Sequence, residues 1–334
     1  MSRQQENNSW APEEVQVGGD VADYKDPTLD PRHKHLFESV MAQLTTFDIL
    51  RGDEIAETLQ PIMQPAEIKH FLKRMAWEEG LHTRSYRFVI ENLGIPLEIY
   101  TRYKTVPEFR ARVDMCETIS RPLVEILGRV YSGEESLHGM DRPDQQDILR
   151  SMIFYFLIFE GCWFWMSLLG PIQQLSRLGV FKGAAEQFTY IARDEQAHIG
   201  FGIQLIREFM HQYPKCLTED FLEQIYSDVA YAITLEEAYI KHCLKDGPIL
   251  GYSVPEHVAT AKFFANLRLA SVGLKPIGFM DAYHAFPWMS EQMELKKEKN
   301  FFEKVVTDYR AGGALMFDDE HPHHDQPGWS DPLA

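Results

Sequence analysis

Residues 151–170, SMIFYFLIFEGCWFWMSLLG, are apolar at nearly every position and hold one charge, Glu160. The next charges outward are Arg150 and Arg177. A helix of this length spans roughly 30 Å. Having no polar face, it must be buried, either in a protein core or in a bilayer. Elsewhere the pattern is amphipathic. Leu36, Val40, Leu44 and Phe47 recur at helical spacing after Pro31, and Pro61 and Pro65 close that segment. Further helices are predicted from about Pro65 to Asn92, stopped by Gly94 and Pro96, and then over about 107–131, 183–212, 217–245 and 254–272. No Asn-Gly hairpin signal and no sustained alternation of period two is present, so the fold is read as all-α. Residues 1–30, polar and rich in Asp, Pro and Gly, are expected to form an extended N-terminal arm. Residues 31–310 are the expected helical domain. Residues 311–334, acidic with clustered His and Pro, are an expected flexible tail.

Composition narrows the function. A net charge of −17 argues against a nucleic-acid binder and against attraction to anionic membranes. The four cysteines are scattered without a CxxC pair, and the first residues lack a signal-peptide apolar core; both suit a reducing cytoplasm. A membrane span fits poorly: Glu160 is central, no second apolar span exists, and Lys and Arg do not cluster beside it. The stretch is expected to be the central helix of a large bundle. A buried, unpaired carboxylate costs several kcal/mol, so Glu160 must be protonated, paired with a cation or bound to a metal.

Six Glu-x-x-His pairs are candidate partners: Glu67/His70, Glu79/His82, Glu135/His138, Glu195/His198, Glu208/His211 and Glu320/His323. Pro322 interrupts the last, and Gly133 and Gly139 place the third in a loop. Glu208/His211 lies about 220° around the helix from Glu195/His198. Glu67/His70 lies roughly 18 Å along the axis from Glu79. The remaining two pairs sit mid-helix. Glu79, His82 and Tyr86 share one face; Glu78 also reaches His82 at i+4, so spacing leaves the choice of glutamate open. Asp48 precedes Glu79 by 31 residues, and Glu160 precedes Glu195 by 35. Each half then reads as a helical hairpin with one acid on its first helix and Glu-x-x-His on its second. Docking the hairpins converges Asp48, Glu79, His82, Glu160, Glu195 and His198, nearly the arrangement of ferritin-like dimetal carboxylate bundles. Four buried carboxylates repel; two divalent ions cancel the charge, and oxygen ligands with imidazole suit Fe or Mn.

With these residues in place, the chain resembles the small, radical-generating (beta) subunit of class I ribonucleotide reductase, a ferritin-like family. Trp10-Ala-Pro-Glu-Glu-Val, Phe47-Asp48, Glu79-x-x-His82-x-Arg84-Ser85-Tyr86, Glu160, Arg193-Asp194-Glu195-x-x-His198 and Lys296-Lys297-Glu298-Lys299-Asn300-Phe301-Phe302 fall in family order. The resemblance implies that Asp48, Glu79 and His82 bind one metal and Glu160, Glu195 and His198 the other, with Glu79 and Glu195 bridging. It implies Fe/Fe, Mn/Mn or Mn/Fe, and dioxygen for activation. Tyr86 resembles the tyrosine oxidised to a stable radical, and Phe164 and Ile191 the apolar residues that shelter it. Trp10, Asp194 and His82 resemble an internal relay, and Tyr309 the tail tyrosine that passes the oxidation to a large subunit. Ala314 to Glu320 resembles the peptide that docks there, although residues 321–334 extend past it. The implied activity is conversion of ribonucleotides to deoxyribonucleotides by a homodimer working with that large subunit. Two rivals share the scaffold: a ligand-binding dimetal oxidase and a non-enzymatic iron-storage protein. The first would not need Trp10, Tyr309 or a docking tail; the second would form cages and accumulate iron well beyond two ions per chain.

Overall fold

A computed structural model describes residues 8–52, 54–133, 140–279 and 281–289. Among them the regular elements are helices. After a 3-10 turn at Pro12–Glu14 come α1 (Gly18–Lys25) and α2 (Pro31–Phe47). Then follow α3 (Glu54–Ile62), α4 (Ala66–Leu93), a 3-10 segment (Leu97–Lys104) and α5 (Pro107–Ser132). The long apolar helix is next: α6 (Arg142–Met152), a π segment (Ile153–Phe164) and α7 (Trp165–Leu169). The chain continues through α8 (Pro171–Arg177), α9 (Lys182–Gln212), α10 (Glu219–Cys243) and α11 (Val254–Ser271). Start signals act as their chemistry dictates. Asp30 accepts from the Arg32 amide at 2.8 Å with Pro31 in the first turn. Asp141 and Thr218 accept from the amides of Asp144 and Phe221. These bonds satisfy amides that have no partner inside the helix.

The reading of residues 1–30 as wholly extended is corrected at α1. This helix is too short to hold itself together. Its stability comes from docking: Asp20 accepts from the amides of Gly183 and Ala184 at 2.9 and 2.6 Å, and Asp23 from that of Phe181 at 2.8 Å. The arm thereby caps the start of α9. Phe181 itself adopts a left-handed conformation, φ 56°, and stacks on Phe37 at 4.0 Å.

The apolar helix packs against α9 and α11, while α4 packs against α2, α3 and α9. Gly202 permits the close approach of α9: a side chain there would run into the ring of Phe156. Arg142–Arg177 is the one helical stretch among the described residues long and apolar enough to cross a membrane, and its apolar window is 100% buried inside the protein. The core-helix expectation therefore holds, with a difference of register. The helix expected as a regular α-helix is widened over Ile153–Phe164, and a shorter π turn, Asp48–Gly52, follows α2. Both single acids, Asp48 and Glu160, lie in these π turns. Tyr309, the 296–302 motif and the tail from 311 lie outside the described residues.

Candidate metal centre

Four elements deliver the candidate ligands. Asp48 opens the π turn after α2, Glu79 and His82 lie on α4, Glu160 on the π segment, and Glu195 and His198 on α9. All six are buried. Ligand atoms of Asp48, Glu79 and His82 lie within 4.8 Å of one another, as do those of Glu79, Glu160, Glu195 and His198. Glu79 belongs to both groups. Glu195 also spans them, with Oε1 3.3 Å from His82 Nδ1 and Oε2 3.6 Å from His198 Nδ1. The other Glu-x-x-His pairs do not join: Glu67, His70, Glu208 and His211 are exposed, and Glu135/His138 and Glu320/His323 lie outside the described residues.

The donor set fits two cations. Oε2 of Glu160 is buried without a hydrogen-bond partner among the described residues, and Asp48 has only the Tyr86 hydroxyl beside it. Such orphaned carboxylates are costly unless a positive charge meets them. Electrostatics records the same conflict. Burial, and next Glu79, push the Asp48 carboxyl well above its ordinary range. Burial and Glu195 do the same to Glu160. Burial alone would lower both imidazoles. The carboxylates around them, led by Asp194 at His82 and Glu195 at His198, outweigh it and raise both well above the usual value. Burial would raise Glu195, but His198 and His82 hold it down at about 2. Without metal, the cluster must be neutralised by protons; with metal, those protons must leave.

The imidazoles are oriented from behind. His82 Nε2 lies 3.4 Å from Asp194 Oδ2, leaving Nδ1 for the cluster. His198 Nε2 lies 2.9 Å from Glu78 Oε2, and Glu78 also accepts from Arg74 Nε at 3.0 Å. Spacing left Glu78 and Glu79 as alternatives: Glu79 faces the cluster, and Glu78 backs His198. Carboxylate partners of this kind fix the ring and raise its basicity as a ligand. Glu78 was available to sequence reading only as a rival to Glu79, because its partner lies 120 residues away.

Tyr86 is fully buried one turn beyond His82, and its hydroxyl faces the carboxylate of Asp48. Burial first, then the charges of Asp48, Glu195 and Glu79, raise its phenol well above the ordinary value. Phe188 meets the Tyr86 ring edge-on at 5.6 Å. Sequence reading missed Phe188, although it lies seven residues before Glu195 and so on the same face of α9. Phe164 and Ile191 are buried, with Phe164 stacked on Phe47, the neighbour of Asp48. Trp10 donates from Nε1 to Asp194 Oδ2 at 2.7 Å and stacks on Tyr190. Trp10, Asp194 and His82 thus form a continuous line from the arm to the cluster.

The family model for the ribonucleotide reductase small chain matches residues 1–287. The ribonucleoside-diphosphate reductase subunit beta of Chlamydia pneumoniae is 32% identical over 314 residues, covering 93% of this chain and 86% of the relative. The ribonucleotide reductase R2 subunit from Clostridium botulinum shares the fold with a TM-score of 0.73 at 22% identity, covering 87% of this chain and 86% of that one. An R2-like ligand-binding oxidase variant with a reconstituted Mn/Fe cofactor shares it at 0.61 and 18% identity, covering 81% and 92%. Fold likeness therefore extends to both kinds of protein, whereas the sequence match extends to the reductase: the chain belongs to the small-chain family of ribonucleotide reductase.

Proposed function

We propose that this chain is the radical-generating beta subunit of ribonucleoside-diphosphate reductase, holding an oxidising equivalent on Tyr86 for a large subunit that reduces ribonucleotides to deoxyribonucleotides. The observation that carries the proposal is the placement of a wholly buried Tyr86 beside six convergent ligands, with Trp10 joined to that cluster through Asp194. Asp48, Glu79 and His82 would hold one metal and Glu160, Glu195 and His198 the other, with Glu79 and Glu195 shared between the two groups. Fe/Fe is the pair we assign; Mn/Mn and Mn/Fe suit the same donors. When bound and reduced, the pair supplies the electrons with which dioxygen becomes an oxidant strong enough for tyrosine.

The chain's own residues do the rest. Tyr86 is kept protonated by burial and by the adjacent carboxylates, so its oxidation removes a proton with the electron. Phe188, Phe164 and Ile191 exclude water and thiols that would quench the radical. Trp10, Asp194 and His82 carry the oxidation outward, and Tyr309 passes it on once the tail engages the large subunit. The chain acts as a cytoplasmic homodimer. A ligand-binding oxidase or an iron store would have no use for the buried Trp10–Asp194 bond.

The test is iron loading followed by exposure to oxygen, read by metal analysis and electron paramagnetic resonance. Wild-type protein should show two metals per chain and a tyrosyl signal, and should be captured by the large subunit. Tyr86→Phe should keep both metals while losing the signal and all ribonucleotide reduction. Retained turnover in Tyr86→Phe would rule out Tyr86 as the radical site.

A further inference from the structure

The π segment poses a hydrogen-bonding problem immediately beside Glu160. In an α-helix the Trp165 amide would bond the carbonyl four residues back, that of Gly161. Here it bonds the carbonyls of Glu160 and Cys162 and bypasses the one between them. The Gly161 carbonyl accepts instead from Arg268 Nε on α11, at 3.0 Å. The next residue is tied to the same helix, with Cys162 Sγ donating to the Ala261 carbonyl at 3.5 Å.

The Gly161 carbonyl is the hydrogen-bond acceptor seen for the Arg268 side chain among the described residues. No carboxylate among the described residues pairs with it; its guanidinium lies 5.4 Å from the Trp165 ring and 5.9 Å from that of Phe264. Burial lowers its pKa to about 10, still charged at neutral pH. Gly161 makes the approach possible: a Cβ there would lie 2.9 Å from the Phe156 carbonyl oxygen and 3.0 Å from Arg268 Nε. A glycine, a bypassed carbonyl and a guanidinium without an acid partner thus meet one residue after a metal ligand.

We propose that Arg268 is the positioning residue for Glu160: seated on the Gly161 carbonyl, it holds the widened turn that aims the Glu160 carboxylate at Glu195 and His198. Removing the guanidinium leaves a buried carbonyl unsatisfied. The nearest remedy is the Trp165 amide, which reaches that carbonyl if the turn tightens to α. Tightening shifts the hydrogen-bond register by one residue, rotating Glu160 about the helix axis relative to the turn that follows. Asp48, Glu79 and His82 sit on other elements and keep their places. The metal site built on Glu160 is therefore weakened selectively.

This inference rests on the dimetal reading. Its test is a Mn(II) titration of metal-free full-length protein, followed by electron paramagnetic resonance of the loaded form. Wild type should bind two manganese ions per chain and give a spin-coupled spectrum. Arg268→Met should bind the first ion normally and the second about 10- to 100-fold more weakly, the range for loss of a supporting contact, with the coupled signal lost. Arg268→Lys, whose ammonium can donate to the same carbonyl, should recover most of the affinity and the signal. If Arg268→Met does not fold by circular dichroism, Gly161→Ala tests the same contact by displacing the guanidinium, and should show the same selective loss. Wild-type affinity and coupling in folded Arg268→Met, or in folded Gly161→Ala, overturn the role of Arg268 alone. Wild-type protein that binds fewer than two ions overturns the dimetal reading with it.

Discussion

Glu78 and Glu79 are identical side chains set to different tasks by one step of about 100° around α4. Glu79 enters the cluster between the two imidazoles; Glu78 turns toward Nε2 of His198 and the guanidinium of Arg74. Glu78→Ala should leave the ligand set intact but free the His198 ring. Metal affinity at the Glu160–His198 site should fall about 10- to 100-fold, measured by titration with Fe(II) under anaerobic conditions. Unchanged affinity would show that packing alone orients His198. Tyr86 illustrates a different residue-scale effect. Its position was legible from the spacing with His82, but its surroundings were not. Phe188, the ring against it, comes from another helix, and only the packing of α9 on α4 brings the two together.

At the scale of elements, the helices expected over 107–131 and 183–212 are observed as Pro107–Ser132 and Lys182–Gln212. Pro107, Gly133 and Pro214 mark three of those ends chemically, so they were readable. The π segment was not. An all-apolar run carries no angular signal, and a π turn differs from an α turn only in which carbonyl each amide meets. Helix α1 was hidden for another reason: its partners lie about the start of α9, more than 150 residues downstream. The close packing of α9 on the π segment yields a stability prediction. Gly202→Ala places a methyl inside the ring of Phe156 and should destabilise the fold by about 1–3 kcal/mol, as overpacking does. Urea denaturation of the metal-free protein would measure it. An unchanged midpoint would show that Phe156 can move aside at no cost.

For the whole molecule, the cluster makes stability depend on pH and metal together. Burial and neighbouring carboxylates raise Asp48 and Glu160; carboxylates that outweigh burial raise His82 and His198. The folded, metal-free protein thus binds more protons than the unfolded chain. Stability present below the unfolded values is lost as pH rises through the raised folded ones. Glu195, held down at about 2, has the opposite sign, but its contribution is lost only as pH falls below the ordinary glutamate range. The thermal midpoint of metal-free protein should therefore fall between about pH 5 and 8. Saturating Mn(II) or Fe(II) should raise the midpoint, and the gain should grow with pH, because fewer protons remain to be displaced. Differential scanning calorimetry across that range checks both slopes; a metal-induced gain that shrinks with pH would contradict the proton assignment.

By itself the sequence determined the all-α class, most helix boundaries, and Asp48, His82, Glu160, Glu195 and His198, together with Glu78 or Glu79, as residues that two docked hairpins could bring together. Periodicity and capping chemistry are local properties, and the pairing of carboxylate with Glu-x-x-His repeats at readable intervals. Only the tertiary structure decided that Glu78 backs His198, that Phe188 covers Tyr86, that α1 caps α9, and that Arg268 meets the Gly161 carbonyl. The physical reason is common to all four. Helical spacing sets where a side chain points around its own axis, but not which distant element stands opposite, and each of these contacts joins residues that are far apart in the chain.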